Sequence, residues 1–280
     1  MTTAKTCSLA GMLALATAGA HAEPLNLLFY GNSFTASGGG VHILVRDIAT
    51  AAGHETPHVY GRIVSGQSLE YHLNTGTSVI TSGIPAGQEW DFVTLQEYST
   101  RPTTHPSDGD VPTFLESAQG LYQAVQDHSP NARAVLFETW ARHPAHFVYP
   151  DIWSGPEAMQ QELRDNYNTA QVLLDSMGGA EVAPVGDAFE AAGFETPLYG
   201  GDLYHASNKG ALLISLVIYG TIYDDTTTGD FDLSGVRDRL GLSQQDVDDV
   251  TAFADAVLVP APGSAAVLVG FGALASRRRR

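Results

Sequence analysis

The sequence predicts an α/β fold in which a five-stranded parallel sheet lies between two layers of helices, a three-layer α/β/α sandwich. Three observations support this prediction. Short apolar runs alternate with segments of helical periodicity between residues 23 and 258. Parallel strands need crossover connections of this kind, which cover both faces of the sheet. The composition, with 44% hydrophobic and 16% charged residues, is that of a globular protein, and the chain contains no internal repeat.

The strands are predicted from the short apolar runs. The first run, residues 25–30, ends at Gly31, which indicates a buried strand followed by a tight turn. The other four strands are predicted at residues 58–64, 92–96, 134–139 and 181–185.

The helices are predicted from apolar residues at helical spacing. In residues 41–52 this spacing is clear, and Gly53 follows the last apolar position. Residues 140–155 are rich in His, Pro and aromatic residues and predict a long loop near the functional site, and residues 224–235 predict a surface loop. The remaining helices are predicted at residues 68–73, 114–128, 156–177, 207–223 and 243–257.

The first 22 residues have the features of a secretory signal peptide. Lys5 is followed by an apolar run and by Ala20-His21-Ala22, which has the small-x-small form of a cleavage site. The run is shorter than the roughly 20 residues that span a bilayer. These features favour export over a membrane anchor.

The last residues, 259–280, combine Pro260-Ala261-Pro262, an apolar segment and four arginines at 277–280. This arrangement resembles the PEP-CTERM sorting tail of Gram-negative bacteria, although that motif reads Pro-Glu-Pro. The resemblance implies an exosortase-type processing enzyme as a partner, transient membrane association through the tail, and a final location at the cell surface or outside the cell. The basic cluster would stay on the cytoplasmic side. A hydrophobic C-terminal helix of the domain is the alternative.

Removal of both ends leaves one predicted domain, residues 23–258, with 9 basic and 31 acidic residues and a net charge of -22. Such a charge opposes binding to nucleic acid and to anionic membranes. The only cysteine, Cys7, lies in the predicted signal peptide. The domain therefore offers no disulfide and no thiol nucleophile.

Two short motifs contain candidate catalytic residues. Ser33 lies in the turn after the first strand, and the carboxyl ends of parallel strands are where ligands collect. Asp202 and His205 lie three residues apart just before an apolar helix. An imidazole can take the proton of a serine hydroxyl, and a carboxylate can orient that imidazole. Taken alone, the first motif is compatible with a plain turn and the second with a helix cap or a solvated loop.

Together the two motifs resemble those of the SGNH/GDSL hydrolase superfamily, over about residues 25–223. The resemblance implies a flavodoxin-like fold with Ser33 as nucleophile, His205 as base and Asp202 as the residue that orients the base. It also implies an oxyanion hole formed by the N–H groups of Ser33 and Gly66 and by the side chain of Gln96, where the family normally has asparagine.

The serine motif reads Gly-Asn-Ser-Phe-Thr, with Asn32 where the family motif has aspartate. This difference and Gln96 are typical of a divergent branch of the superfamily. The resemblance implies an exported serine esterase that removes small acyl groups, especially acetyl, from carbohydrate, and that needs no cofactor. A lipase or thioesterase of the same fold, or a noncatalytic glycan-binding surface protein, are the alternatives.

Other side chains have two interpretations each. Three aromatic residues could bind sugar rings or could pack in the core; they are Trp140, Tyr149 and Trp153. Glu97 could act as an acid or base, or could hold Arg101 or a loop N–H. His143 and His146 could bind a metal, but no third ligand lies at a suitable spacing, so no metal site is predicted.

Overall fold

A sheet of five parallel strands forms the centre of the computed structural model, which describes residues 23–259. The strand order is β2-β1-β3-β4-β5. This arrangement confirms the predicted fold class. The strands are β1 Asn26–Gly31, β2 His58–Ile63, β3 Phe92–Leu95, β4 Arg133–Phe137 and β5 Ala180–Ala183.

Strand β1 lies between β2 and β3, and its residue Leu28 pairs with Tyr60 on one side and Val93 on the other. Four consecutive apolar side chains at positions 27–30 are completely buried, as expected for a strand with helices on both faces. The chain adds β2 on one side of β1 and then β3 to β5 on the other. The loops after β1 and β3 therefore separate at a switch point, where α/β folds bind ligands.

Helices cover both faces of the sheet. Helices α2 to α5 pack along one face, and α1 with α6 to α9 along the other. Two short 3-10 turns, Ser37–Gly39 and Thr196–Leu198, complete the connections. The helices are α1 Val41–Ala51, α2 Leu69–Thr75, α3 Val79–Ser82, α4 Val111–His128, α5 Pro156–Gly178, α6 Val185–Ala191, α7 Asn208–Tyr223, α8 Ser234–Leu240 and α9 Gln244–Leu258.

Three helices were not predicted, and one begins earlier than predicted. Helices α3 and α6 have only four and seven residues, and α8 starts inside the predicted surface loop and extends beyond it. Helix α4 begins at Val111 because the Asp110 carboxylate accepts a hydrogen bond from Thr113 N at 3.1 Å. This cap and Pro112 fix the helix start three residues before the apolar pattern becomes visible.

Helix α7 is buried along nearly its whole length. Its first turn is capped by Ser207, whose hydroxyl accepts a hydrogen bond from Gly210 N at 3.2 Å. Because α7 is fixed in the core, the residues directly before Ser207 are held at the carboxyl edge of the sheet.

The predicted signal peptide, residues 1–22, and the predicted sorting tail, apart from its first residue, lie outside the described residues. Within residues 23–259, no helix combines the length and the hydropathy needed to cross a membrane.

Candidate active site

The turn after β1 presents Ser33 at the carboxyl edge of the sheet. Asn32, which is buried, holds this turn on both sides: its Oδ1 accepts from Phe34 N at 3.1 Å and its Nδ2 donates to Gln67 O at 2.9 Å. A carboxylate could not make the second bond, because it has no hydrogen to donate. The asparagine therefore ties the turn after β1 to the loop after β2.

The side chains of Ser33, His205 and Asp202 form a continuous hydrogen-bonded chain. His205 Nε2 lies 2.9 Å from Ser33 Oγ, and His205 Nδ1 lies 2.6 Å from Asp202 Oδ2. With the Nδ1 hydrogen directed at the carboxylate, Nε2 faces the serine hydroxyl as an acceptor. The structure thus brings together the three residues that the sequence predicted, although 172 positions separate Ser33 from His205.

The side chain of Asp202 holds the loop that runs from Asp202 to His205, through hydrogen bonds to the loop backbone. Asp202 Oδ1 accepts hydrogen bonds from Tyr204 N at 3.1 Å and from His205 N at 3.0 Å, while Leu203 adopts a positive φ of 64°. Partial burial acts to raise the pKa of Asp202, but the hydrogen bonds from the His205 ring and the two N–H groups outweigh it and lower the pKa to about 2. Asp202 is therefore ionised at neutral pH.

Two backbone N–H groups beside the serine are available to a ligand. The N–H groups of Ser33 and Gly66 make no hydrogen bond to any group within residues 23–259. Gly66 has a φ of 73°, a conformation that favours glycine. Free N–H groups at this position are suited to stabilising a developing oxyanion.

Solved structures of similar fold include an SGNH-type hydrolase from Slackia heliotrinireducens, with 25% identity, a TM-score of 0.58, and coverage of 71% of this chain and 99% of that one. A DUF4886 family protein from Bacteroides uniformis has 16% identity, a TM-score of 0.63, and coverage of 84% and 94%. A carbohydrate esterase family 3 protein from Talaromyces cellulolyticus has 13% identity, a TM-score of 0.52, and coverage of 71% and 97%.

The chain has the fold of the SGNH hydrolases. Other solved structures that share this fold include a lipase/acylhydrolase from Enterococcus faecalis, with 16% identity, a TM-score of 0.52, and coverage of 74% and 97%. No protein-family model and no curated protein matches the sequence.

Gln96 lies beneath the turn that carries Ser33. Its side chain is completely buried. Its Oε1 accepts from Asn32 N at 2.8 Å and from Thr35 Oγ1 at 3.0 Å, and its Nε2 donates to the backbone oxygen of Glu97. The predicted role as third oxyanion donor does not fit this geometry, because the amide is completely buried, with its oxygen directed at Asn32 N and its nitrogen at the backbone oxygen of Glu97. Gln96 instead positions the turn that carries Ser33.

The aromatic residues proposed as a sugar-binding surface are part of the protein interior. Trp140 is fully buried and stacks between Phe34 and Phe189, with ring centroids 4.2 and 4.7 Å away. Trp153 is 7% exposed and donates to Glu162 at 2.6 Å. Of the two interpretations given for these tryptophans, packing in the core fits the structure, since neither offers a free ring face.

The third of these aromatic residues, Tyr149, is half-buried against the core. Its hydroxyl donates to Arg142 O at 3.0 Å. It supports the loop after β4, and the prediction of a sugar-binding role does not fit this position.

The loop after β4 holds the loop that carries His205. Trp140 Nε1 donates to Tyr204 O at 3.0 Å, and His143 N donates to Leu203 O at 3.0 Å. The guanidinium of Arg142 lies 4.2 Å from the centre of the Tyr204 ring, which in turn lies 3.9 Å from the His205 ring. The sequence predicted that this loop lies near the site, but not that Arg142 and Tyr204 support the base.

His72, on α2, is a positioning residue that the sequence analysis missed. It is completely buried, and its Nε2 lies 2.9 Å from Gly31 O, directly before the serine turn. Burial lowers the pKa of His72 to about 4, so the ring is neutral at pH 7 and Nε2 can donate. Its spacing of three residues from the buried Leu69 places both on one face of α2. That spacing is only a weak signal, because a lone buried histidine belongs to no motif.

Glu97 holds loop N–H groups, and Arg101 pairs with a different carboxylate. The Oε1 of Glu97 accepts from Leu69 N at 3.2 Å and from Tyr98 N at 2.5 Å, whereas Arg101 pairs with Glu70 at 2.9 Å. Of the interpretations given for Glu97, the loop-holding one is confirmed.

The two histidines considered as metal ligands bind protein groups. His143 Nε2 lies 3.0 Å from Thr196 Oγ1, and His146 Nδ1 accepts from Val148 N at 3.3 Å. Across residues 23–259, no group of three or more His, Cys, Asp or Glu side chains is arranged to hold a metal ion.

Proposed function

We propose that the protein is an exported serine esterase that removes small acyl groups, in particular acetyl groups, from carbohydrate. The hydrogen-bonded chain from Ser33 through His205 to Asp202 carries this proposal, because it is the arrangement that activates a serine hydroxyl. The carbohydrate esterase among the structural neighbours supports the substrate class. The signal-like first 22 residues support export.

The reaction begins when Ser33 Oγ attacks the acyl carbon and His205 Nε2 takes the serine proton. The carbonyl oxygen becomes negatively charged and is stabilised by the N–H groups of Ser33 and Gly66. His205 then gives its proton to the departing alcohol, leaving an acylated serine. Water attacks this ester while His205 takes a water proton, and the acid product leaves as Ser33 recovers its hydrogen.

Hydrolysis of p-nitrophenyl acetate tests this function. Ser33→Ala should lower kcat by several orders of magnitude, because triad members act as a unit. Ser37→Ala is the matched control, since Ser37 lies in the same turn but its hydroxyl faces Ser33 O and not His205. Near-parent turnover by a folded Ser33→Ala protein would overturn the proposal.

A further inference from the structure

A polar cleft of about 600 Å³ opens at the carboxyl edge of the sheet, between the segment after β2 and the loop after β3. We call it the tyrosine cleft. Its lining includes Gly66, Glu70, Tyr71, Asn74, Tyr98 and Arg101.

The tyrosine cleft is continuous with the proposed catalytic site. Gly66 belongs to both, because its free N–H is a proposed oxyanion donor. The loop that carries Gly66 is tied to the serine turn through the bond from Asn32 Nδ2 to Gln67 O. On the opposite wall, Tyr98 is close enough to Tyr204 and Arg142 to affect the pKa of each electrostatically. A substrate whose acyl group reaches Ser33 can therefore extend into this cleft.

Two partly exposed tyrosine side chains line the cleft. Tyr71 is 36% exposed, and the guanidinium of Arg62 lies over its ring at 5.7 Å from the centroid. The backbone of Tyr98 is fixed by its N–H bond to Glu97. Partly exposed rings of this kind can pack against the apolar face of a sugar.

The polar groups of the cleft are suited to hydroxyl groups. The side chain of Asn74 is exposed and makes no hydrogen bond within residues 23–259, so both its donor and its acceptor are available. Glu70 and Arg101 form an ion pair at 2.9 Å that joins the two walls. Polar side chains beside aromatic rings are a common way to orient a sugar, which has apolar ring faces and hydroxyl groups.

The charge of the cleft disfavours an anionic ligand. Arg101, which lines the cleft, is already paired with Glu70, and Asp110 lies 4.0 Å from its other terminal nitrogen. Arg62, the cation over the Tyr71 ring, donates to Thr75 O at 3.0 Å. Asp108 adds a further carboxylate to the lining. The surrounding domain carries a net charge of -22, so uronates and phosphorylated sugars would be repelled.

We propose that the tyrosine cleft binds the neutral sugar rings of an O-acetylated oligosaccharide, with Tyr71 and Tyr98 as packing surfaces and Asn74 as a hydroxyl ligand. This inference rests on the proposed esterase function and adds the position and the charge class of the sugar.

The test compares two substrates, p-nitrophenyl acetate, which is too small to fill the cleft, and acetylated xylo-oligosaccharides, which can fill it. Tyr71→Ala and Asn74→Ala should each lower kcat/KM for the oligosaccharide about 2- to 10-fold more than for the small ester, as expected for one ring contact or one hydrogen bond. Tyr71→Phe, which keeps the ring, should restore most of the oligosaccharide activity. Val172→Ala, an exposed change on α5, is the control that should alter neither.

The parent protein should also act faster on acetylated xylo-oligosaccharides than on acetylated oligogalacturonides, which are anionic. Equal losses on both substrates in the Tyr71 and Asn74 variants, no loss in either variant, or faster hydrolysis of the anionic substrate would overturn the inference. Absence of Ser33-dependent hydrolysis of p-nitrophenyl acetate would instead overturn the proposed function, so the two failures are distinguishable.

Discussion

The amide of Gln96 determines how the serine turn is supported. It accepts hydrogen bonds from Asn32 N and Thr35 Oγ1 in a completely buried position. The preceding Gly31 has no room for a side chain, because a Cβ there would lie 2.9 Å from Gln96 Oε1 and closer still to Thr35. Glutamine, with one methylene more than asparagine, reaches beneath the turn to these donors.

Replacement of Gln96 by Ala should lower both stability and turnover. The free energy of unfolding should fall by about 1 to 3 kcal/mol for each buried donor left without a partner, and kcat for p-nitrophenyl acetate should fall as the turn loosens. Thermal unfolding and steady-state kinetics on the same preparation measure the two effects. A parent-like Tm with a strongly reduced kcat would instead support direct donation to the oxyanion.

The sequence was sufficient to predict the triad but not the role of Gln96. Ser33, Asp202 and His205 belong to short motifs with a family resemblance, and the parallel topology brings the ends of their segments together. The direction in which a single amide points depends on packing among β1, β3 and the serine turn. A one-residue difference from the family pattern does not contain that information.

At the level of the elements, the loop after β4 and the loop before α7 form one unit. Trp140 contributes a stacked ring in the core and a hydrogen bond to Tyr204 O, which places the backbone next to His205. The length and composition of the loop after β4 predicted that it lies near the site. Burial of its tryptophans could not be predicted, because a Trp in a polar segment fits a binding surface as well as a core.

Trp140→Phe should keep most of the stacking but lose the bond to Tyr204 O. We expect a modest loss of stability, about 0.5 to 1.5 kcal/mol for the hydrogen bond, and a several-fold lower kcat because His205 is less well positioned. Trp153→Phe is the matched control, since it loses a comparable bond to Glu162. If both variants had the same kcat, the bond between the two loops would have no catalytic importance.

The helices missed by the sequence analysis share a physical feature. Helix α6 and helix α8 have seven residues each, about two turns, and such segments are not stable alone. Their stability comes from packing against the α7 and α9 layer and against α1. Helix α5 and the strongly apolar α7 are long enough to be predicted from the sequence, whereas of the three seven-residue helices in the described part of the chain only α2 was predicted.

At the level of the whole molecule, burial of carboxyl groups couples stability to pH. Burial raises the pKa of Glu97 from 4.5 to about 7, and Glu97 Oε2 has no hydrogen-bond partner within residues 23–259. The folded protein therefore binds more protons at this group than the unfolded chain between about pH 4.5 and 7. The stability that the neutral carboxyl contributes is complete below pH 4.5 and is lost as the pH rises through 7. Burial also raises the pKa of Glu138, which acts in the same direction.

Glu97→Gln should reduce this pH dependence, because the amide resembles the neutral carboxyl. The buried His72, whose pKa is lowered, acts in the opposite direction in both proteins. The Tm of the variant relative to that of the parent should therefore rise between pH 5 and pH 8, and the variant should be the more stable protein at pH 8. Glu116→Gln, which removes an exposed carboxylate on α4, is the control. Identical Tm profiles for the parent and Glu97→Gln would show that Glu97 does not titrate in this range.

His205 and Asp202 make the Ser33 hydroxyl a nucleophile in the folded protein. Intact mass and peptide mapping after treatment with a serine-directed fluorophosphonate test it most directly. The parent should gain one adduct, located on Ser33, and His205→Ala should react far more slowly. Ser33→Ala should gain none, while Ser37→Ala should react like the parent. Equal labelling of the Ser33→Ala protein, or no adduct on the folded parent, would contradict the claim.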